Sequence, residues 1–162
     1  MAFRRRRRPE PTVATTAQDV YKTMIRDHLS PRLRALGFKG SGGAYEWPSR
    51  THWIILGVQK SQSSSATAVK FTLNCQVVRR DVWEEGRQEH SYLGEKPNPN
   101  TIGGNVWWAR IGKLMPGGGD KWWSLQPSQD LESLAEEVAS AVHQYVIPAM
   151  HGEVEATSDD KR

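Results

Sequence analysis

Ten consecutive residues, Val69 to Val78, alternate almost without a break. Val69, Phe71, Leu73, Cys75 and Val77 fall on one side, and Lys70, Thr72, Asn74 and Gln76 on the other. A period of two is the pleat of a β-strand and cannot be one face of a helix. The chain must therefore build a sheet around this segment. Trp53 to Lys60 (WIILGVQK) is a second strand, apolar on both faces and so expected at the centre. The Ser-rich stretch Gln62 to Ala68 between them suits a hairpin loop.

Other strands are shorter. Tyr45 and Trp47 alternate before Pro48, after a Gly/Ser turn at Lys39 to Gly43. Asn105 to Leu114 places Trp107, Ala109 and Ile111 on one face and Trp108, Arg110 and Gly112 on the other. Met115 to Asp120 (MPGGGD) reads as a hairpin turn, with Lys121 to Leu125 returning as a last strand. The segment Arg79 to Gly104 is the hardest to read. Asp81 to His90 suits a short helix, whereas Pro97-Asn98-Pro99-Asn100 and Gly103-Gly104 exclude regular structure. A connection this long calls for a functional or disordered explanation.

Helical patterns bracket the strands. Thr15 and Gln18 form a capping box at a helix start. Tyr21, Ile25, Leu29 and Leu33 then make an apolar stripe. Pro31 interrupts it, so a kink or two short helices are expected. Gly37 stops the helix, and Phe38 folds back on Leu33. Ser128 is the expected N-cap of the last helix, whose stripe runs through Leu131, Leu134, Ala135, Val138, Ala141, Val142, Tyr145 and Val146 until Pro148 bends or ends it. The order helix, strands, helix predicts an α+β domain. Its antiparallel sheet of four to five strands carries the N- and C-terminal helices on one face.

Charge divides the chain further. Its 162 residues carry a net +4, but Arg4, Arg5, Arg6, Arg7 and Arg8 are one run, and without them the rest is slightly negative. Residues 1–14 therefore read as a disordered basic arm, 15–152 as a single domain, and 153–162 as a disordered acidic tail. The arginines are followed by Pro-Glu-Pro-Thr rather than an apolar segment, which argues against an export signal. No apolar run is long enough to span a membrane. A cytoplasmic protein is expected.

Catalytic signatures are sparse. The five histidines, His28, His52, His90, His143 and His151, show no metal-binding spacing, and no metal or cofactor is implied. His143 reads as a packing residue near the last helix's stripe. Cys75, the one cysteine, belongs to the core face and reads as inert. Gly117-Gly118-Gly119-Asp120-Lys121 lacks the order of a phosphate loop. Glu84, Glu85 and Glu89 beside His90 are a weak acid/base set.

The sheet face opposite the helices is the better candidate. It is expected to show Thr72, Asn74, Gln76, Trp108 and Arg110, joined by Gln59 if its strand has the matching register, with Ser61 just beyond that strand's end. Arg and Trp are enriched at binding hot spots. The same residues would also suit a solvated outer face, with Trp108 covering its cross-strand neighbours. Arg110 could bridge to Asp120, or bind an anionic or peptide ligand. One tryptophan of each adjacent pair, Trp107-Trp108 and Trp122-Trp123, should face the core and the other outward.

Several stretches together resemble a bacterial family catalogued as domain of unknown function 4304. They are Leu33 to Lys39 with Tyr45, Trp53 to Ser61, Phe71 to Asn74, Arg110 to Gly112 with Leu114, Asp120 to Trp123, and the last helix running into Ile147-Pro148. The resemblance covers about residues 18–150. It implies a small bacterial cytosolic α+β domain with no established activity, and no catalytic residues carry over. The leading functional expectation is a non-catalytic module that binds a protein or peptide through Gln59, Ser61, Asn74, Gln76, Trp108, Arg110 and Asp120 with the 79–104 loop, with immunity or defence as a setting suggested by analogy alone. One alternative is nucleic-acid binding by Arg4 to Arg8. Another is an enzyme with an unrecognised site.

Overall fold

A computed structural model describes residues 15–100 and 106–158. The polyarginine run and the glycine pair at 103–104 lie outside these residues. The first helix is one rod in three parts: α1 (Ala17–Thr23), a π-helical turn (Met24–Leu29) and α2 (Ser30–Leu36). Its capping box sits one residue later than the sequence suggests. Thr16 and Asp19 cap each other, because Gln18 is engaged elsewhere and accepts from Lys60 Nζ at 2.8 Å.

Pro31 does not split the helix, which runs without interruption from Ala17 to Leu36. A proline crowds the carbonyl four residues back and cannot bond to it. The π turn widens the helix there, and Ser30 N donates to Ile25 O, five residues back. The last helix repeats the device. It comprises α5 (Leu131–Ala141), a π turn (Val142–Val146) and α6 (Ile147–Ser158), with Ile147 N donating to Val142 O just before Pro148. Asp130, not Ser128, caps α5, accepting from Glu132 N and Ser133 N. The helix also continues through Ser158, into residues whose composition suggests a tail. Val154 packs on the core, and Thr157 reaches His52, which keeps that final turn anchored. His143 is exposed rather than packed.

α2 ends at Gly37, which has φ of 119°. Phe38 N donates to Leu33 O at 3.2 Å and Gly37 N to Arg34 O at 3.1 Å, so two carbonyls left open by the helix end are satisfied. The strands follow: β1 (Lys39–Ser41), β2 (Ala44–Glu46), β3 (His52–Lys60), β4 (Val69–Arg79), β5 (Trp107–Arg110) and β6 (Trp123–Leu125). Two short helices interrupt them, α3 (Arg80–Glu89) and α4 (Ile111–Leu114). The sheet is antiparallel in the order β1-β2-β3-β4-β5, with β6 also paired to β4.

Three details depart from the sequence reading. Lys39–Ser41 is a strand, so the turn contracts to Gly42 and Gly43, both with positive φ. Residues 111–114 form α4 instead of prolonging β5. The 115–120 segment is not a hairpin turn, since β5 and β6 do not pair with each other. They lie one after the other along the same edge of β4, at Asn74 to Val77 and at Val69 to Phe71.

The main core forms where the two long helices cover one face of the sheet. Phe71, Leu73, Cys75 and Val77 meet Leu29, Leu33, Val138, Val142 and Met150 there, all essentially inaccessible to solvent. Burying each such large side chain contributes about 1.5–3 kcal/mol. A second, smaller cluster lies on the opposite face, where Trp53, Ile55 and Val78 are covered by Trp83 of α3. The sheet is therefore buried on both sides.

Candidate functional site

Strand parity brings Gln59, Asn74 and Arg110 together. Asn74 pairs with Arg110 across β4 and β5, and Gln59 is diagonal to Asn74 across β3 and β4. Asn74 Nδ2 donates to Gln59 Oε1 at 2.7 Å. Arg110 Nε donates to Asn74 Oδ1 and Nη2 to Gln59 Oε1, both at 3.2 Å. Its Nη1 lies 3.6 Å from Asp120 Oδ2, and Asp120 also accepts from Trp122 Nε1 at 2.9 Å. The guanidinium sits 5.1 Å from the Trp122 ring centre and 5.9 Å from that of Trp108.

This face is not open. Thr72, Asn74 and Gln76 are buried, and the Arg110 side chain is only 25% exposed. The cover is the chain's own segment 94–100, which crosses the outer face as a strap. Trp83 Nε1 donates to the carbonyls of Gly94 and Glu95, and Lys96 pairs with Glu46. Trp108 Nε1 donates to Pro99 O at 2.7 Å. Asn100 accepts from Asn74 Nδ2 at 3.1 Å and donates to Val58 O at 3.2 Å. Gly57 makes room beneath, since a Cβ there would stand 2.5 Å from Pro99 Cγ. A polar, tryptophan-bearing surface in the sequence is thus the seat of a loop in the fold. Asn100 escaped sequence reading because Pro-Asn-Pro-Asn has no period to interpret.

The other nominated residues lie further off. Gln76 is buried beside the β4–β5 pairing. Ser61 turns into the hairpin connection, where its hydroxyl is 2.8 Å from that of Ser63. Trp107 and Trp123 pack on the main core, while Trp108 and Trp122 face outward. The weak acid/base set on α3 is dispersed: Glu84 pairs with Arg87, and His90 rests against Tyr92.

Arg110 meets two neutral amides at close range and its carboxylate only loosely. An anionic group reaching it would displace Asp120, whose side chain is 56% exposed. Cys75 donates to Ala109 O, and burial pushes its thiol up to about 12, so no thiolate forms near neutrality. Among the described residues no three His, Cys, Asp or Glu side chains gather as metal ligands, and no helix is long and apolar enough to cross a membrane. A second feature lies on α3 and the loop after it. Tyr92 is 81% exposed, and a groove of about 330 Å³ runs between α3 and the sheet over Trp83, Leu93 and Val106, with Glu85 and Glu89 on its rim.

Helices at both chain ends over one face of an antiparallel sheet, with an arginine-centred network under a strap on the other, define a small α+β domain. The family described as Domain of unknown function (DUF4304) matches residues 29–151, and the chain belongs to that family. No curated protein and no solved structure matches it.

Proposed function

We propose that this is a non-catalytic, cytoplasmic module, bacterial in origin, that binds a protein or peptide through α3, the loop after it and the Arg110 edge. The observation that carries this is Tyr92. Among the described residues the exposed large apolar side chains are Tyr92 and Val82, and both belong to this segment. A tyrosine brings a large, stiff contact area at low entropic cost, and such side chains anchor interfaces. The neighbouring groove adds an apolar floor with two carboxylates, which suits an apolar or basic side chain of the partner. A role in immunity or defence is one setting for such a module, by analogy alone.

A photo-crosslinking amino acid at position 92, compared in cells with one at the exposed Glu136, tests the reading. A discrete adduct at 92 and none at 136 is expected. Identical adduct patterns at the two sites, or none at 92, would reject the surface. The alternative, nucleic-acid binding, rests on Arg4 to Arg8. Deleting residues 1–10 would then abolish retention on nucleic acid together with its salt dependence.

A further inference from the structure

The π turn in the first helix does more than accommodate Pro31. Tyr21, Ile25, Ser30 and Arg34 are spaced by four, five and four residues, and they line one wall of a cleft of about 470 Å³. In an unbroken α-helix Leu29 and Leu33 would continue that face. The extra residue in the turn keeps both leucines in the core and brings Arg34 to the cleft opening, with Ser30 buried behind it against the Tyr45 hydroxyl. Such π insertions occur frequently at functional sites. The opposite wall is the β1–β2 turn, at Ser41 and Gly42.

The floor is apolar and the rim is cationic. Lys22, Arg26 and Arg34 all line the opening. Lys60 Nζ adds a fourth charge, 5.6 Å from the Tyr21 ring centre. Arg26 is neutralised by Asp27, through bonds of 2.8 and 3.0 Å. Arg34 is bonded only to a neutral carbonyl, Gly40 O at 3.0 Å, and Lys22 has no ion pair among the described residues. Lys22 shares its charge with the nearby Asp19, but Arg34 and Lys60 meet only neutral oxygens, so the cleft keeps an excess of positive charge around an apolar patch. A nucleic acid would need only the charge, whereas an apolar floor between the cations suits an occupant with an apolar side chain. The Tyr21 ring packs against Phe71 at 5.8 Å, which fixes it as part of that floor.

We propose that this cleft docks an acidic peptide segment of a partner protein, with one apolar side chain on Tyr21 and Ile25 and flanking carboxylates on Lys22 and Arg34. The cleft belongs to a different element from Tyr92, so this proposal and the preceding one stand or fall separately.

The test uses the full chain and a fluorescein-labelled 12-residue probe of glutamates with two central leucines, read by anisotropy at physiological salt. A second probe replaces the leucines by serines, and a third is a 12-mer of thymidylate. The variants are Lys22→Glu/Arg34→Glu, Ser41→Trp, which fills the cleft without changing charge, and Arg4 to Arg8 all replaced by serine. Circular dichroism checks folding. If the charge-reversed variant fails to fold, Ser41→Trp carries the comparison. The leucine probe should bind saturably, at least about tenfold more tightly than the serine probe, and lose at least about tenfold with either cleft variant but not with the arm variant. Equal binding of the two peptides, tighter binding of the thymidylate, loss with the arm variant alone, or no binding at all would each overturn the proposal.

Discussion

Arg110 presents all three guanidinium nitrogens to neighbours, with Asn74, Gln59 and Asp120 in turn opposite them. Replacing it by methionine keeps the stem but leaves Asn74 Oδ1 buried without that donor. Stranding one such group costs about 1–3 kcal/mol. The urea midpoint of Arg110→Met should fall accordingly with the slope unchanged. Arg110→Lys should recover little, because an ammonium cannot fork between two amides. An unaltered midpoint in both variants would mean that the network contributes nothing. Parity within each strand made Asn74 and Arg110 legible as outward residues, whereas Gln59 joins them only through the β3–β4 register, which the sequence left open. Their surroundings were not legible. Periodicity tells which side of a sheet a residue takes, and says nothing of whether water or another part of the chain lies over it. His52 escaped for the same reason, being an ordinary strand-end residue until α6 is folded against it.

Two elements, the strap and α6, are held by few but specific contacts. The strap depends on Gly57, where a Cβ would also come within 3.0 Å of Asn100 Oδ1. Gly57→Ala should lift residues 94–100 from the sheet, accelerate amide exchange there and cost about 1–3 kcal/mol. Retained protection would show that the strap shifts without strain. α6 depends on His52. The Thr157 hydroxyl donates to Glu153 O, so its oxygen accepts from His52 Nε2 at 2.8 Å, while Nδ1 faces the Thr51 hydroxyl at 2.8 Å. Both ring nitrogens are thus engaged by hydroxyl groups, and burial, then the nearby Arg79 charge, holds the His52 pKa below its ordinary 6.5, so the folded state favours the neutral ring. On acidification the unfolded chain takes up the proton first. The stabilisation is thus complete above about pH 6.5 and is lost as pH falls through the lower folded value. Protection factors in the last turn of α6, Glu153–Ser158, corrected for the intrinsic pH dependence of amide exchange, should fall between pH 7.5 and pH 5, and His52→Gln should remove that dependence. Equal protection at both pH values in the native chain would break the link.

At the scale of the molecule the two faces of the sheet are unequally insured. The helical face carries a continuous apolar core, and the outer face a small cluster around Trp53 and Trp83 with the strap beside it. Regions with few buried apolar contacts open first. Residues 80–100 should therefore exchange their amides at a lower free energy than the centres of β3 and β4. Uniform protection across both would instead make the domain a single cooperative unit. The long helices and strands were readable from the sequence because their periods were long enough to declare themselves, whereas β1 and α4, of three and four residues, were not. Nor was the path of the last strand, since Trp123–Leu125 is too short to announce its partner. That path has its own consequence. β5 and β6 are each fixed to β4 by their own pairing, and the chain between them loops out through α4 and returns, with open space beside Gly117, Gly118 and Gly119 where a side chain would project. Neither strand takes its alignment from the other. Residues gained or lost at the glycine apex therefore change only the size of the excursion, and this edge of the domain can vary in length while both halves of its sheet stay in step.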